Sequence, residues 1–152
     1  FLRAEAYIKT GGLDDDFFAH MEEIDLCWRL KRLGYQIYYC PESVIYHVGG
    51  GTLPNDNPRK LYYNYRNSLY LLFKNIGRKG FLTILIPRMM LDGASATAYL
   101  LQGKITFFFS VLRAHIRFYL SLRMLIHKRK IYNRIIAKAK VSQIRYFPDK
   151  SD

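Results

Sequence analysis

Acidic residues are nearly missing from one half of this chain. Residues 77–152 carry three Asp/Glu against fifteen Lys/Arg, whereas residues 1–76 carry nine of each, so the second half supplies the whole formal charge of +12. A split this sharp separates two zones with different partners. Cysteine is scarce as well. Cys27 and Cys40 are too few for a disulfide framework and suit a reducing cytoplasm. No secretory leader opens the chain, and Phe1-Leu2-Arg3 lacks an initiating Met, which reads as the middle of something longer. Uninterrupted apolar spans are missing too. A membrane-crossing helix needs roughly 20 nearly uncharged residues. Phe81–Leu101 has the length but holds Arg88 and Asp92, with Pro87 and Gly93 as breakers, and Ile105–His127 holds Arg113, Arg117 and Arg123. Such charges are costly at bilayer depth.

What is present is apolar and aromatic. Half of the 152 residues are hydrophobic, with 13 Tyr and 10 Phe, which excludes a disordered tail. The length allows one modest domain, or a half-domain with an appendage. No internal repeat or low-complexity tract occurs.

The first zone, residues 1–57, reads as short strands, turns and one helix. Gly11-Gly12 and Asp14-Asp15-Asp16 mark a turn. Glu22 to Leu33 is a helix by its pattern: acids in the first turn, Ile24, Cys27 and Leu30 on one face, Arg29, Lys31 and Arg32 toward the end, and Gly34 as the stop. Tyr35–Tyr39 and Val44–Val48 are β-rich runs, ended by Cys40-Pro41 and by Gly49-Gly50-Gly51. The second zone, residues 58–152, reads as a basic, amphipathic helical tail. Asn57-Pro58 starts a helix to about Gly77. Further helices cover Phe81–Leu101 and Ile105 to about His127, broken at Gly77–Gly80 and Gly103-Lys104. Basic amphipathic helices suit the headgroup region of an anionic membrane, and an ordinary bundle with a basic solvent face is the plainer alternative.

The residues that could carry chemistry sit between Gly11 and Thr52. Glu22 and Glu23 stand at the mouth of a helix, where a carboxylate is favoured in its ionised form. An ionised carboxylate that reaches a substrate hydroxyl is a general base, although acids in a first turn are usually only dipole partners. Asp25 lies four residues before Arg29, the spacing of a helix ion pair. The Gly49–Thr52 loop can wrap a phosphate through Gly50 and Thr52, or be a flexible turn. Asp14, Asp15 and Asp16 line an acceptor pocket or form a solvated turn. A zinc site built from His20, Cys27, Cys40 and His47 matches no common spacing.

The run GGLDDDFFAHMEEIDLCWRLKRLGYQIYYCPESVIYHVGGGT closely resembles the C-terminal catalytic block of family-2 glycosyltransferases, especially the rhamnosyltransferase-like ones. The shared order is a Gly-Gly turn with acids, two aromatics, an acidic helix start, Arg at mid-helix, Gly-Tyr, Pro and a strand ending in His. The resemblance implies an α/β fold, the C-terminal fragment of a GT-A domain followed by the helical tail. It implies an inverting transfer from a nucleotide-sugar to a glycan or lipid-linked acceptor, with Glu23 as base and Glu22 as its understudy. It places Asp14, Asp15, Asp16, Trp28, Arg29, Gly50 and Thr52 at the substrate, and His47 at a divalent cation (Mg²⁺ or Mn²⁺) or the leaving diphosphate, with the cation's main ligands expected upstream of these residues. Tyr62–Asn67, with its Arg66-Asn67, echoes the Tyr-rich helix that follows the His. The expected location is the cytoplasmic face of a bacterial inner membrane, bound peripherally to anionic lipid, with no nucleic acid as partner. No Asp-x-Asp precedes Gly11, so these 152 residues alone are not expected to transfer sugar. A basic membrane-surface or nucleic-acid-binding helical module without catalysis is the competing reading.

Overall fold

A computed structural model describes residues 2–46 and 57–146, with side chains as far as Ala139 except at residue 78. Within them the chain is helical: α1 (Ala4–Thr10), α2 (Glu22–Arg32), α3 (Pro58–Asn75), the single turn α4 (Arg78–Gly80), α5 (Ile86–Leu101), α6 (Ile105–Leu120) and α7 (Leu122–Tyr146). A 3-10 turn at Asp15–Phe17 precedes α2, and a π-helical turn at Phe81–Leu85 joins α4 to α5.

The α/β expectation is therefore corrected. No strand occurs among the described residues. Residues 35–40 and 44–46 have no regular structure, and residues 47 and 48 lie outside the described residues. The physical reason is that β propensity measures fit to a pleated neighbour, and a strand is stable only when paired. Nothing described here offers that neighbour, and Tyr38, Tyr39, Ile45 and Tyr46 are left largely exposed.

Local signals set the helix ends. The Gly34 amide bonds to Lys31 and the Tyr35 amide to Leu30, with Gly34 at φ 89°, which is a Schellman stop on α2. Asn57 caps α3, its side chain accepting from the Arg59 amide at 2.8 Å, with Pro58 in the first turn. The last helices meet at Ser121, bent by 61°. Ser121 Oγ there accepts from the Tyr70 hydroxyl at 2.6 Å.

Helix α3 is the hub. It packs most extensively on α6, and also on α7, α2 and the π-helical turn, while α5 lies against α6. The main core joins Phe17 from the acidic loop to Leu69, Tyr70, Leu71 and Phe73 of α3, Leu85, Phe118 and Leu125. It thus joins residues from both sides of the zone boundary read at residue 57. A fully buried Leu or Phe of this kind contributes about 2 kcal/mol. A smaller cluster ties α1 to α2 through Ala6, Leu26 and Leu30.

Among the described residues no single helix is long and apolar enough to cross a membrane, although the bent pair Ile105–Leu120 and Leu122–Ala139 meets the length and composition for it.

Candidate functional site

Three cations and three carboxylates meet where α2, α3, α7 and the acidic loop converge. Asp25 of α2 accepts from Arg29 Nε at 2.9 Å, from Lys74 Nζ at 3.0 Å and from Asn75 Nδ2 at 2.8 Å. Lys74 also pairs with Asp14, and Lys128 of α7 pairs with both Asp14 and Asp16. Arg29, Lys74 and Lys128 therefore balance Asp14, Asp16 and Asp25. Charges taken out of water survive only when compensated in this way. Arg29 is sealed further: it donates to the carbonyls of Thr10 at 2.6 Å and Gly12 at 2.7 Å, and lies over the Tyr132 ring.

The electrostatics follow from that geometry. Burial alone would raise the Asp14 carboxyl, but Lys74 and Lys128 outweigh it and hold it at about 2, down from 3.8. Burial, reinforced by the Asp14 charge, pushes the Tyr132 phenol up to about 12.

The network fixes the loop that leads into α2. Gly12 has φ 70°, and a Cβ there would meet the Tyr7 ring at 3.0 Å, so a side chain would be strained and would press on Tyr7. Asp14 caps the 3-10 turn by accepting from the Asp16 amide at 3.1 Å. The chain then passes through three non-glycine residues at positive φ, namely Phe18 (60°), His20 (67°) and Met21 (74°). Each costs about 1–3 kcal/mol and persists only when its surroundings hold it. Here the holder is α3. Buried Asn67 donates to the carbonyls of Phe17 (2.9 Å), Ala19 (2.7 Å) and His20 (2.8 Å). Arg66 donates to Asp16 and Phe17.

Glu22 and Glu23 come directly after this clamped turn, in the first turn of α2. Glu23 is exposed. Glu22 is half-buried, and its Oε2 is buried with no hydrogen-bond partner among the described residues. A buried carboxylate oxygen without a partner retains the capacity to accept a hydrogen bond.

The other residues singled out in the sequence fall differently. Asp15 is exposed on the loop, and Trp28 is half-buried against the main core. Asp14 and Arg29 are not open to substrate, because their polar atoms are spent inside the ion network. Asp25 pairs with Arg29, as its spacing implies. Gly50, Thr52 and His47 lie outside the described residues. Among the described residues no cluster of three His, Cys, Asp or Glu could hold a metal ion, and Asp14 and Asp16 already face ammonium groups. Of the residues that the resemblance assigns to a divalent cation, this chain supplies only His47, which lies outside the described residues.

Lys74, Asn75, Lys128 and Tyr132 escaped the sequence reading. A signal existed: Asn67, Lys74 and Asn75 are polar residues at helical spacing on the apolar face of α3. No family model matches the chain, and no curated protein and no solved structure matches it either.

Proposed function

We propose that this chain is the acceptor-side, base-bearing part of an inverting glycosyltransferase acting in cell-surface polysaccharide synthesis. The observation that carries the reading is the presentation of Glu22 and Glu23. A strained turn, clamped by Arg66 and Asn67 over a neutralised ion network, holds two carboxylates at a helix mouth, one of them with a buried unpaired oxygen. The order of motifs from Gly11 to Thr52 supplies the chemistry such carboxylates would do. Glu23 takes the proton from an acceptor hydroxyl, and that oxygen forms a bond to the anomeric carbon of a nucleotide-sugar. The bond from that carbon to the phosphate oxygen breaks on the opposite face, the nucleoside diphosphate leaves with the electron pair, and the configuration inverts. Glu22 stands beside it as a second acceptor of hydrogen bonds. Positioned base catalysis of this kind contributes about 10²–10⁴ in rate.

The seat of this activity is the cytoplasmic face of an anionic membrane. Asp92 of α5 is buried and pairs with half-buried Arg88 at 2.6 Å and with His115 at 3.2 Å. Phe81, Leu82, Ile84, Ile86, Met90 and Leu91 are left exposed. On α7, Arg123, His127, Lys130 and Arg134 are exposed at helical spacing. An exposed apolar face suits lipid tails, and an exposed basic stripe suits anionic headgroups.

The test is to incubate the full-length gene product with bacterial membranes and a panel of radiolabelled nucleotide-sugars. Label should pass to a glycan or organic-extractable acceptor, and the new linkage should have the inverted configuration by NMR coupling. No incorporation from any donor, or a retained configuration, would contradict the reading.

A further inference from the structure

An open groove of about 570 Å³ runs between the start of α3 and the start of α6. Arg59, Tyr62 and Tyr63 line one side, with Thr106, Phe109, Ser110 and Arg113 on the other. No carboxylate lines it. Arg59 lies over the Tyr63 ring at 5.7 Å and Arg113 over the Tyr62 ring at 5.4 Å. A guanidinium stacked on a ring uses its flat face and keeps its N–H edges for other partners. Neither arginine is paired with a carboxylate among the described residues. Arg66 makes a useful contrast, because it stacks on the same two rings but spends its N–H groups on the carbonyls of Asp16 and Phe17.

Two guanidinium edges with tyrosine and threonine hydroxyls are the chemistry that holds a phosphate or diphosphate ester, while Ser110 gives its hydroxyl hydrogen to the Thr106 carbonyl at 2.9 Å. The groove is amphiphilic besides. Phe109 is 58% exposed, and Ile105, Leu112 and Ile116 continue from it as an exposed apolar stripe along α6. The groove also adjoins the clamped turn, since Tyr63 stacks on Phe18 at 5.2 Å, four residues before Glu22.

The geometry points to this groove as the binding site for the phosphate or diphosphate headgroup of an amphiphile, gripped by Arg59 and Arg113 with its apolar chain laid along Phe109 and the α6 stripe. Its role as acceptor site rests on the transferase reading above. The binding does not.

The experiment is calorimetric titration of the full-length protein with farnesyl diphosphate below its micelle concentration. Inorganic pyrophosphate, uridine diphosphate and farnesol are titrated in parallel. Saturable binding of farnesyl diphosphate is expected, at least tenfold tighter than each of the other three. In the Arg59→Gln/Arg113→Gln double variant the Kd should rise at least tenfold with an unchanged melting temperature, since both side chains are exposed. A Lys9→Gln/Lys31→Gln control on α1 and α2, at exposed lysines far in sequence from the groove, should bind like the wild type. Equal Kd in wild type and the groove variant would overturn the site. Pyrophosphate or uridine diphosphate binding as tightly as farnesyl diphosphate would overturn the amphiphile. Because no sugar transfer is read, loss of the transferase reading and loss of this site are separate results.

Discussion

Replacing Asn67 with Ala removes the one side chain that holds the strained turn before α2 from three sides. Its amide carries two hydrogens shared among the carbonyls of Phe17, Ala19 and His20. The Phe17 carbonyl keeps a bond from Arg66 at 3.0 Å, so two carbonyls lose their partner. Each lost bond costs about 1 kcal/mol, and more where water cannot replace it. Truncating a fully buried side chain adds a small cavity cost. Relaxation of Phe18, His20 and Met21 returns part of their stored strain. The net expectation is a destabilisation of about 2 kcal/mol, read as a urea midpoint about 1 M lower at an ordinary slope for this size. Asn67→Asp should be worse than Ala, because it aims a carboxylate at three carbonyl oxygens. A midpoint within about 0.3 M of wild type for Asn67→Ala, or Asp milder than Ala, would refute the clamp.

Three further outcomes follow from the same geometry. Lys74→Met leaves Asp14 and Asp25 facing each other without their shared ammonium. Breaking a buried pair from one side costs about 3–5 kcal/mol, so melting should fall by about 10 °C, and a fall under about 2 °C would count against the network. Asp14 has a folded-state carboxyl depressed to about 2 from 3.8, so its stabilisation is present above about pH 4 and is lost as pH falls toward 2. Wild type should therefore exceed Asp14→Asn by about 2 kcal/mol at pH 6 in urea titrations and match it near pH 2; a gap that did not narrow would exclude this linkage. For membrane seating, flotation with vesicles rich in phosphatidylglycerol should fall severalfold in Met90→Glu/Leu91→Glu and fall again at high salt. Equal flotation of variant and wild type would remove the α5 face from contact.

Features set by local chemistry were legible in advance. The start of α2 at Glu22, its stop at Gly34, the Asn57-Pro58 cap and the break before Ile105 each depend on a few neighbouring residues; the break read at Gly77–Gly80 is confined to residues 76 and 77, since Arg78–Gly80 is helical and continues into Phe81–Leu85. The short α1 was not foreseen, although Ala4-Glu5-Ala6 followed by Gly11 carries a helix signal. The strands read at Tyr35–Tyr39 and Val44–Val48 failed, the second over its described residues 44–46, because a strand is a property of a pair. In the site, the Asp25–Arg29 pair could be read from spacing. Lys74 with Asp14, 60 residues away, and Lys128 with Asp14, 114 residues away, could not, since only packing of α3 and α7 brings them together. The same holds for Asn67 reaching the carbonyl of His20.

The central claim is that Glu23 removes the proton from an acceptor hydroxyl, with Glu22 beside it. Steady-state transfer by the full-length gene product should show Glu23→Gln lowering kcat by at least about a hundredfold, with KM for the nucleotide-sugar unchanged. Glu22→Gln should retain more activity than Glu23→Gln. A Glu23→Gln enzyme with wild-type kcat would contradict the account.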